Sequence, residues 1–394
     1  MAGTEQKARP SSLSRQPSEK GGRSISGPSS SGPNLWRRVL SDSSVRAALF
    51  AFALTRLIVL FIFLLATNLS FDEPVLDLGR RVQEPRLALK GSVILENASR
   101  AMVYADGLWY VNIAFKGYER QPFEASQEHN WAFFPLYPLL LHLAAQVTGE
   151  YALTGAALSN IFLLLALVLL HKTVRAFGYD EGCADRTSFY VAAFPASYFF
   201  SLPVTESLFL FLSVGSFFAA KRGRWWLGGL LGALSSATRA AGILLFPALL
   251  LLYWQTHRGR DFWRRELLGL MLAPLGLAAF MLYLYLITGN ALAFLQVQAA
   301  WGHRAGFFLR PLFDYLLNPL EVSVRWDFRL LNFAAATLAL VCGLLLLKRS
   351  EWALSLYTLA SVIVPLSAMM LQSNARYVAT IFPVFLMLAL AGKS

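Results

Sequence analysis

The sequence predicts an all-α polytopic membrane protein with about ten transmembrane helices and a large first extracytoplasmic loop. Of its 394 residues, 56% are hydrophobic and only 15% are charged, and the mean hydropathy is +0.50. A soluble domain carries roughly 25% charged residues. The apolar residues fall in repeated runs of about 16–22, the length that crosses a hydrocarbon layer of about 30 Å. A single run of this kind is typical of a buried core helix, but about ten of them indicate membrane spans.

The N-terminal part differs sharply from the rest, and we predict a disordered, basic cytoplasmic tail over residues 1–44. Its first 35 residues are mainly Ser, Gly, Pro, Lys and Arg, which bury too little apolar surface to offset the entropy of ordering. Arg37, Arg38 and Arg46 precede the first apolar run, so the positive-inside rule places the N-terminus in the cytoplasm. Residues 45–394 are then the transmembrane domain.

The spans and their orientation follow from the apolar runs and the basic loops. The net charge of +12 lies in the tail and in short segments between spans, which orients the chain and predicts no nucleic-acid partner. The N-terminus and the loop 171–186 are both predicted to be cytoplasmic, so an even number of spans must lie between them, and 49–66 and 151–170 already make two. The run 133–147, which holds Pro135 and Pro138, would be a third, so we expect it to be re-entrant or interfacial. Eleven spans is the alternative. The clearest spans are 49–66, 151–170, 237–253 and 267–287, and the cytoplasmic basic loops are 171–186, 221–224, 257–265 and 348–349.

The segment 68–131 is the predicted first extracytoplasmic loop, with short surface helices around residues 100–115. Asp106 lies in this loop within an aromatic-rich stretch. An Asp followed by Gly is typical of a turn or a helix cap. The same carboxylate at the mouth of a cavity is a candidate general base for an attacking hydroxyl. The local sequence favours neither interpretation.

Three further charged residues fall at predicted outer helix ends. Glu206 follows Thr205, a candidate N-cap, so the helix dipole explains it, and binding of sugar hydroxyls explains it equally. Arg239 and Arg376 lie on the outer side against the positive-inside tendency, and each therefore requires an anionic partner, either a protein carboxylate or a phosphate. Arg56, inside the first span, predicts an intramembrane ion pair or a substrate contact.

Most of the remaining candidate binding residues are aromatic. We include them because aromatic rings at the outer surface could stack on sugars. His129 is included, although a lone histidine is more often structural. The sequence contains no Walker glycine loop, Gly-x-Ser-x-Gly elbow, Rossmann fingerprint or Cys/His metal cluster. It therefore predicts no cofactor and leaves a metal ion open. The candidate binding residues are Trp109, Tyr110, His129, Glu206, Arg239, Arg376 and Tyr377.

The motifs, taken together and in order, resemble those of the PIG-V-like mannosyltransferases. Any one of them is weak, but their order and spacing over 106–383 are specific. They are Asp106 with Ile113-Ala114 and Gly117-Tyr118, Ala132-Phe133-Phe134-Pro135 with Pro138, Phe194-Pro195-Ala196, Thr205-Glu206-Ser207, Ala237-Thr238-Arg239 with Gly242, and Arg376-Tyr377 with Phe382-Pro383.

This resemblance implies an inverting glycosyltransferase of the GT-C architecture. Such an enzyme moves a mannose-type sugar from a polyprenyl- or dolichyl-phosphate donor to a glycolipid or glycan acceptor, on the outer or lumenal face. The family's catalytic acid in the first outer loop maps to Asp106, whereas the Trp that precedes it in eukaryotic members is Ala105 here. This departure favours a bacterial-type relative in a plasma membrane over an endoplasmic reticulum protein. A transporter or flippase is the alternative, although we find no internal repeat of the kind that transporters show.

Overall fold

The structure, a computed structural model, describes residues 41–68, 101–103, 106–257, 263–319 and 329–392. Within these ranges the chain is helical and forms no β-strand, which confirms the all-α prediction. The first helix begins at Ser43, where Asp42 accepts hydrogen bonds from the backbone and side chain of Ser44. Most of the predicted tail and most of the first half of the predicted outer loop lie outside the described residues.

Sixteen α-helices are defined in the described ranges, together with short 3-10 turns between them. The helices are α1 (Ser43–Asn68), α2 (Asp106–Lys116), α3 (Leu136–Thr148), α4 (Ala152–Ala176), α5 (Glu181–Ala193), α6 (Glu206–Lys221), α7 (Trp225–Ser236), α8 (Leu245–Thr256), α9 (Glu266–Leu270), α10 (Leu275–Thr288), α11 (Ala293–Gln296), α12 (Arg310–Leu317), α13 (Arg329–Lys348), α14 (Trp352–Leu366), α15 (Asn374–Ala379) and α16 (Phe382–Ala391). The 3-10 turns are Asn130–Ala132, Pro195–Ser201, Ala240–Leu244 and Val297–Trp301.

Three of the described helices are long and apolar enough to cross a membrane by themselves: α1, α4 and α13. Two bent pairs raise this number to five if each pair is one span, namely the turn Pro195–Ser201 with α6 (98°) and α10 with Ala293–Trp301 (86°). Several shorter apolar helices, among them α3, lie beside them. These helices make the chain an integral membrane protein, while the count of ten crossings stays a prediction.

Two of the predicted continuous spans differ in the structure. The run 267–287 is interrupted, because α9 ends at Leu270 and α10 begins only at Leu275, directly after Pro274. Proline lacks the N–H that an uninterrupted helix requires. The run 237–253 begins as the 3-10 turn Ala240–Leu244 and becomes α-helical at Leu245. Hydropathy alone did not distinguish a broken apolar segment from a straight one.

The helices pack around α4 and α6, which share the most extensive contact in the bundle. Alanine and serine in the contact faces, such as Ala166, Ser213 and Ala220, are buried, and small residues let membrane helices approach closely. By contrast, α1 packs against α4 and α5 on one side only and exposes large apolar side chains such as Phe50 and Phe61. This pattern is expected for a helix at the lipid boundary.

Arg56 of α1 is buried, and it bonds to the backbone rather than to a carboxylate. Its guanidinium donates to the carbonyl oxygens of Ala192 (2.9 Å) and Ser197 (2.8 Å) and to the hydroxyls of Ser197 and Ser201 (3.0 Å each). These acceptors lie where α5 ends and the 3-10 turn Pro195–Ser201 begins. Arg56 therefore satisfies carbonyl groups that the break in the helix leaves without partners. Of the two roles predicted for Arg56, the ion pair is not formed with any described residue, and the substrate contact stays a prediction.

We expect Arg56→Leu to destabilise the protein by about 2–4 kcal/mol, because buried carbonyl groups without a donor each cost about 1–3 kcal/mol. Arg46→Leu in the same helix is the control, since Arg46 is exposed. Thermal unfolding in detergent would show a lower midpoint for Arg56→Leu alone. Equal midpoints would contradict the role of Arg56 in holding the broken segment.

Candidate active site

Four charged residues from separate parts of the chain meet in one cluster, which we call the charge cluster: Asp106, Glu206, Arg239 and Arg376. Arg376 donates through Nη1 to Asp106 Oδ2 and through Nε to Glu206 Oε1. Arg239 Nη1 donates to the same Glu206 oxygen at 2.8 Å. The charges alternate in the order Asp106, Arg376, Glu206 and Arg239, and their formal sum is zero.

Exposure increases from the centre of the charge cluster to its ends. The Glu206 side chain is 0% exposed and that of Arg376 8%, whereas Arg239 is 17% and Asp106 is 40% exposed. Asp106 Oδ1 accepts no hydrogen bond from a described residue. The two ends of the cluster, Asp106 and Arg239, are therefore the groups that an incoming molecule meets first.

Asp106 is placed by the approach of α2 to the break before α6. It is the first residue of α2, where an acidic side chain interacts favourably with the helix dipole. The next residue, Gly107, lies so close to Pro203 that a Cβ atom there would sit 3.3 Å from the proline ring and 2.9 Å from the carbonyl oxygen of Met102. Because residue 107 is glycine, α2 can approach Pro203 closely, and Asp106 then lies beside Glu206, which follows Pro203 by three residues.

Glu206 begins α6, and the 98° bend before it turns this helix end into the bundle. Thr205 occupies the N-cap position but makes no side-chain capping bond. Glu206 Oε2 is buried and has no hydrogen-bond partner among the described residues. Its charge is therefore balanced by Arg239 and Arg376, both of which bond Oε1.

Arg239 lies in an extended conformation just before the 3-10 turn Ala240–Leu244. The turn folds back onto the end of α7, and the Gly242 amide donates to the Arg239 carbonyl oxygen at 2.9 Å. A Cβ atom on Gly242 would lie 2.4 Å from the backbone of Ser235 and Ser236. Only glycine fits this close approach. The close approach holds the turn in place, and with it the direction in which the Arg239 side chain points.

Arg376 is held by a residue that the sequence analysis missed. It lies on the short helix α15, and the backbone amide of Ala375 donates to the Asn332 side chain at 2.8 Å. Asn332 is 5% exposed and belongs to α13. A polar side chain inside an otherwise apolar span is the signal that marks it.

Aromatic rings lie against both arginines of the charge cluster. The Arg376 guanidinium lies 4.6 Å from the centroid of Phe199, and that of Arg239 lies 5.2 Å from Tyr377. Trp109 stacks on Phe133 at 5.4 Å and Tyr110 meets the same ring edge-on at 5.2 Å. Tyr110 and Tyr377 thus lie beside the cluster, and Trp109 lies three residues after Asp106 on α2; Tyr110 is buried, and Trp109 and Tyr377 are partly exposed.

Burial and neighbouring charge fix the protonation of the groups around Asp106. Burial raises the pKa of Tyr110, and Glu206 and Asp106 add to this effect. Burial likewise raises the pKa of Tyr377. Burial by itself would lower the pKa of Arg376, but Glu206 and Asp106 together raise it well above the usual value. At neutral pH both phenols keep their protons and Arg376 stays charged, so neither tyrosine is the base.

His129 makes a different set of contacts. Its Nδ1 lies 2.5 Å from Glu119 Oε2, and its ring stacks on Trp131 at 4.2 Å. The ring is 5% exposed, and no contact joins it to the four charged residues. These contacts are those of a packed structural histidine, and substrate binding by His129 stays a prediction.

The charge cluster joins a partly exposed carboxylate to two arginines, a side chain whose planar guanidinium suits carboxylate and phosphate groups. Such a set can accept a proton at Asp106 and stabilise negative charge beside it. In the described part of the chain, no group of three or more His, Cys, Asp or Glu side chains is placed to hold a metal ion.

Comparison with known proteins identifies a family. A family model described as mannosyltransferase (PIG-V) matches residues 46–299. The chain is 31% identical over 186 residues to GPI alpha-1,6-mannosyltransferase 2 of Rattus norvegicus, covering 42% of this chain and 35% of that protein. For the human protein of the same name the identity is 31% over 180 residues, covering 41% and 34%. GPI mannosyltransferase 2 of Yarrowia lipolytica is 32% identical over 117 residues, or 30% and 32% of the two chains. The chain spans about a third of the length of these relatives.

Among solved structures, the oligosaccharyltransferase of Archaeoglobus fulgidus is similar at low level. A structure of it tethered to an acceptor peptide aligns with a TM-score of 0.43 and 14% identity, over 89% of this chain and 49% of that chain. A second structure, with an inhibitory peptide and a dolichol-phosphate, gives a TM-score of 0.40 and 14% identity over 90% and 50%.

Proposed function

Because the chain belongs to the mannosyltransferase (PIG-V) family, we propose that it transfers a mannose-type sugar from a polyprenyl- or dolichyl-phosphate donor to a glycolipid or glycan acceptor. The reaction takes place at the outer or lumenal face, in a GT-C-type bundle, with inversion at the anomeric carbon. The observation that carries this proposal is the bond between Asp106 and Arg376 in the charge cluster. Ala105, in place of the Trp of eukaryotic members, favours a bacterial plasma membrane as its location, and the basic loops give the orientation of the chain in that membrane.

Asp106 is the proposed general base. Its Oδ2 is held by Arg376, while Oδ1 accepts no bond from a described residue and the side chain is 40% exposed. A carboxylate fixed through one oxygen presents the other to the acceptor hydroxyl. Tyr110 is excluded from this role by its raised pKa, and Glu206 by its complete burial.

Arg239 is the proposed contact for the donor phosphate. It is more exposed than Arg376 and bonds one carboxylate oxygen, whereas Arg376 bonds two carboxylates. Its remaining N–H groups are therefore available to a phosphate, which a guanidinium binds well. Glu206 then acts as a positioning residue, because it holds both arginines through one oxygen.

In the reaction, the acceptor oxygen forms a bond to the anomeric carbon while its proton moves to Asp106. The bond from the anomeric carbon to the phosphate oxygen breaks, and its electrons leave with the lipid phosphate, whose charge goes from −1 to −2. One negative charge thus disappears at Asp106 and another appears at the phosphate. The alternation of arginines and carboxylates suits this transfer. Once Asp106 has taken up the proton, it no longer carries the charge that holds Arg376. Arg376 is then released at the moment when the leaving phosphate requires a cation.

The partly exposed rings of Trp109 and Tyr377 are the proposed surfaces for the sugar. Tyr377 already lies against Arg239, which would place a stacked sugar next to its own phosphate. Tyr110 is buried beneath them and supports the site through its contacts with Phe133 and Tyr137.

The test is direct transfer of label. Purified protein in nanodiscs receives polyprenyl-phosphate mannose labelled in the sugar, together with a native lipid extract as a source of acceptors. We expect label to move from this donor to an extract component, and not from a nucleotide-linked mannose. Transfer from the nucleotide sugar alone, or none from the lipid-linked donor with folded protein, would reject the proposal.

Arg239→Ala should weaken use of the donor, since loss of one charge-assisted contact costs about 2–4 kcal/mol, or about thirty- to a thousandfold in rate at low donor concentration. Arg239→Lys should recover part of this, because it keeps the charge and loses the planar fork. Arg304→Ala is the control, as Arg304 is exposed in the 263–319 range. The dependence of rate on donor concentration is the measurement, and an unchanged curve would remove Arg239 from the phosphate site.

A further inference from the structure

A groove of about 470 Å³ lies at the other end of α5, away from the charge cluster. It runs between the first turns of α1 and α5. The two helices run in the same direction, since Arg46 of α1 faces the start of α5 while Arg56 bonds to its end at Ala192. With about 1.5 Å of rise per residue, the 13 residues of α5 separate the groove from the broken turn by about 20 Å.

The lining of the groove changes along the helix axes. The charged residues Arg46, Glu181, Asp185 and Arg186 occupy the first turns, and Phe50 and Phe189 follow one turn further along. Phe50 is 65% exposed and lies on the face of α1 that other helices do not cover. A polar end followed by an aromatic surface facing lipid matches the division between the headgroup and the acyl chains of a phospholipid.

The charges in the groove are of both signs, and those of Arg46 and Glu181 are exposed. Arg46 and Glu181 are exposed and form no ion pair with the described residues. Arg186 donates from Nε to the carbonyl oxygen of Ala389, while its Nη2 is buried and unpaired within the described ranges. Asp185 lies 3.0 Å from His171 Nε2. The groove thus offers two guanidinium groups and two carboxylates.

We propose that this groove binds an aminophospholipid, a lipid with a phosphate and a primary ammonium in one headgroup. Arg46 and Arg186 bind the phosphate, Glu181 and Asp185 bind the ammonium, and the acyl chains lie over Phe50 and Phe189. A purely anionic headgroup would meet two carboxylates without a cation for them. The first 34 residues of the chain are basic and contain few large apolar side chains, so they complement the carboxylates of the groove but not its arginines or its aromatic surface.

The experiment uses the full chain in phosphatidylcholine nanodiscs that contain a trace of phosphatidylethanolamine with a photoreactive acyl chain. After irradiation, mass spectrometry locates and quantifies the labelled peptides. We expect label on the peptides that contain Phe50 and Phe189, and competition by unlabelled phosphatidylethanolamine at least about fivefold stronger than by phosphatidylglycerol. Each charged contact typically changes affinity by about tenfold.

Two single variants separate the parts of the headgroup. Arg46→Ala should lower labelling about tenfold, because it removes one of two phosphate contacts. Glu181→Gln should retain labelling but lose the preference over phosphatidylglycerol. Both side chains are exposed, so the fold is retained, and Arg222→Ala at the exposed end of α6 is the control. Unchanged labelling in Arg46→Ala, equal competition by phosphatidylglycerol in the wild type, or label that is absent from the peptides containing Phe50 and Phe189 would each overturn the proposal. None of these readouts depends on sugar transfer.

Discussion

Asp106→Asn is expected to lower turnover by about a hundredfold or more while leaving the fold intact, because an amide does not accept the acceptor's proton. Asparagine keeps an oxygen for the bond that Arg376 makes with Asp106 Oδ2. It is also a good residue for the start of a helix, where Asp106 lies. The substitution therefore removes the proposed base and retains the other properties of the side chain.

The measurement is sugar transfer per folded molecule, with thermal unfolding as the test of folding. Asp106→Glu keeps a carboxylate but displaces it by one methylene, so partial activity is expected. If Asp106 only begins α2, asparagine should serve nearly as well, and activity close to that of the wild type would refute the catalytic role. Gly107→Ala gives a different result, since its Cβ would press on Pro203 and should lower activity together with stability.

The sequence predicted the residues of the charge cluster for physical reasons that hold in the structure. Arginines on the predicted outer side needed anionic partners, and both of them have found carboxylates. The two alternatives for these arginines, a carboxylate or a phosphate, are not exclusive, because Arg239 is bonded through one nitrogen only. The all-α fold likewise followed from hydropathy.

The pairing within the cluster was beyond the sequence. Asp106 and Arg376 are 270 residues apart, and which arginine meets which carboxylate depends on how the broken helices pack. The burial of Glu206 depends on the bend before α6, which its local sequence, a helix start after Thr205, does not reveal. Asn332 was missed because its partner is a backbone amide on another helix. The ion pair predicted for Arg56 does not form with the described residues, because its acceptors are carbonyl and hydroxyl groups on a distant turn, which the sequence does not identify.

The second large effect is expected for Glu206→Gln. Glu206 Oε1 accepts from both arginines in a site with no exposure of its side chain. Without the charge of Glu206, the two positive charges of Arg239 and Arg376 are balanced only by Asp106. Loss of one partner in a buried charge pair costs about 3–5 kcal/mol. We therefore expect Glu206→Gln to lower both stability and activity, while Glu128→Gln, at an exposed position, changes neither.

The double variant Glu206→Gln with Arg239→Gln decides whether this loss is a matter of charge balance. It leaves Arg376 paired with Asp106, so the cluster is again neutral. We expect the double variant to unfold at a higher temperature than Glu206→Gln alone, with a coupling of about 1–3 kcal/mol in the cycle. Its sugar transfer should stay low, because the proposed phosphate contact is absent. If the two losses simply add, Glu206 supports the fold through its packing and the alternating charges have no role in holding the site.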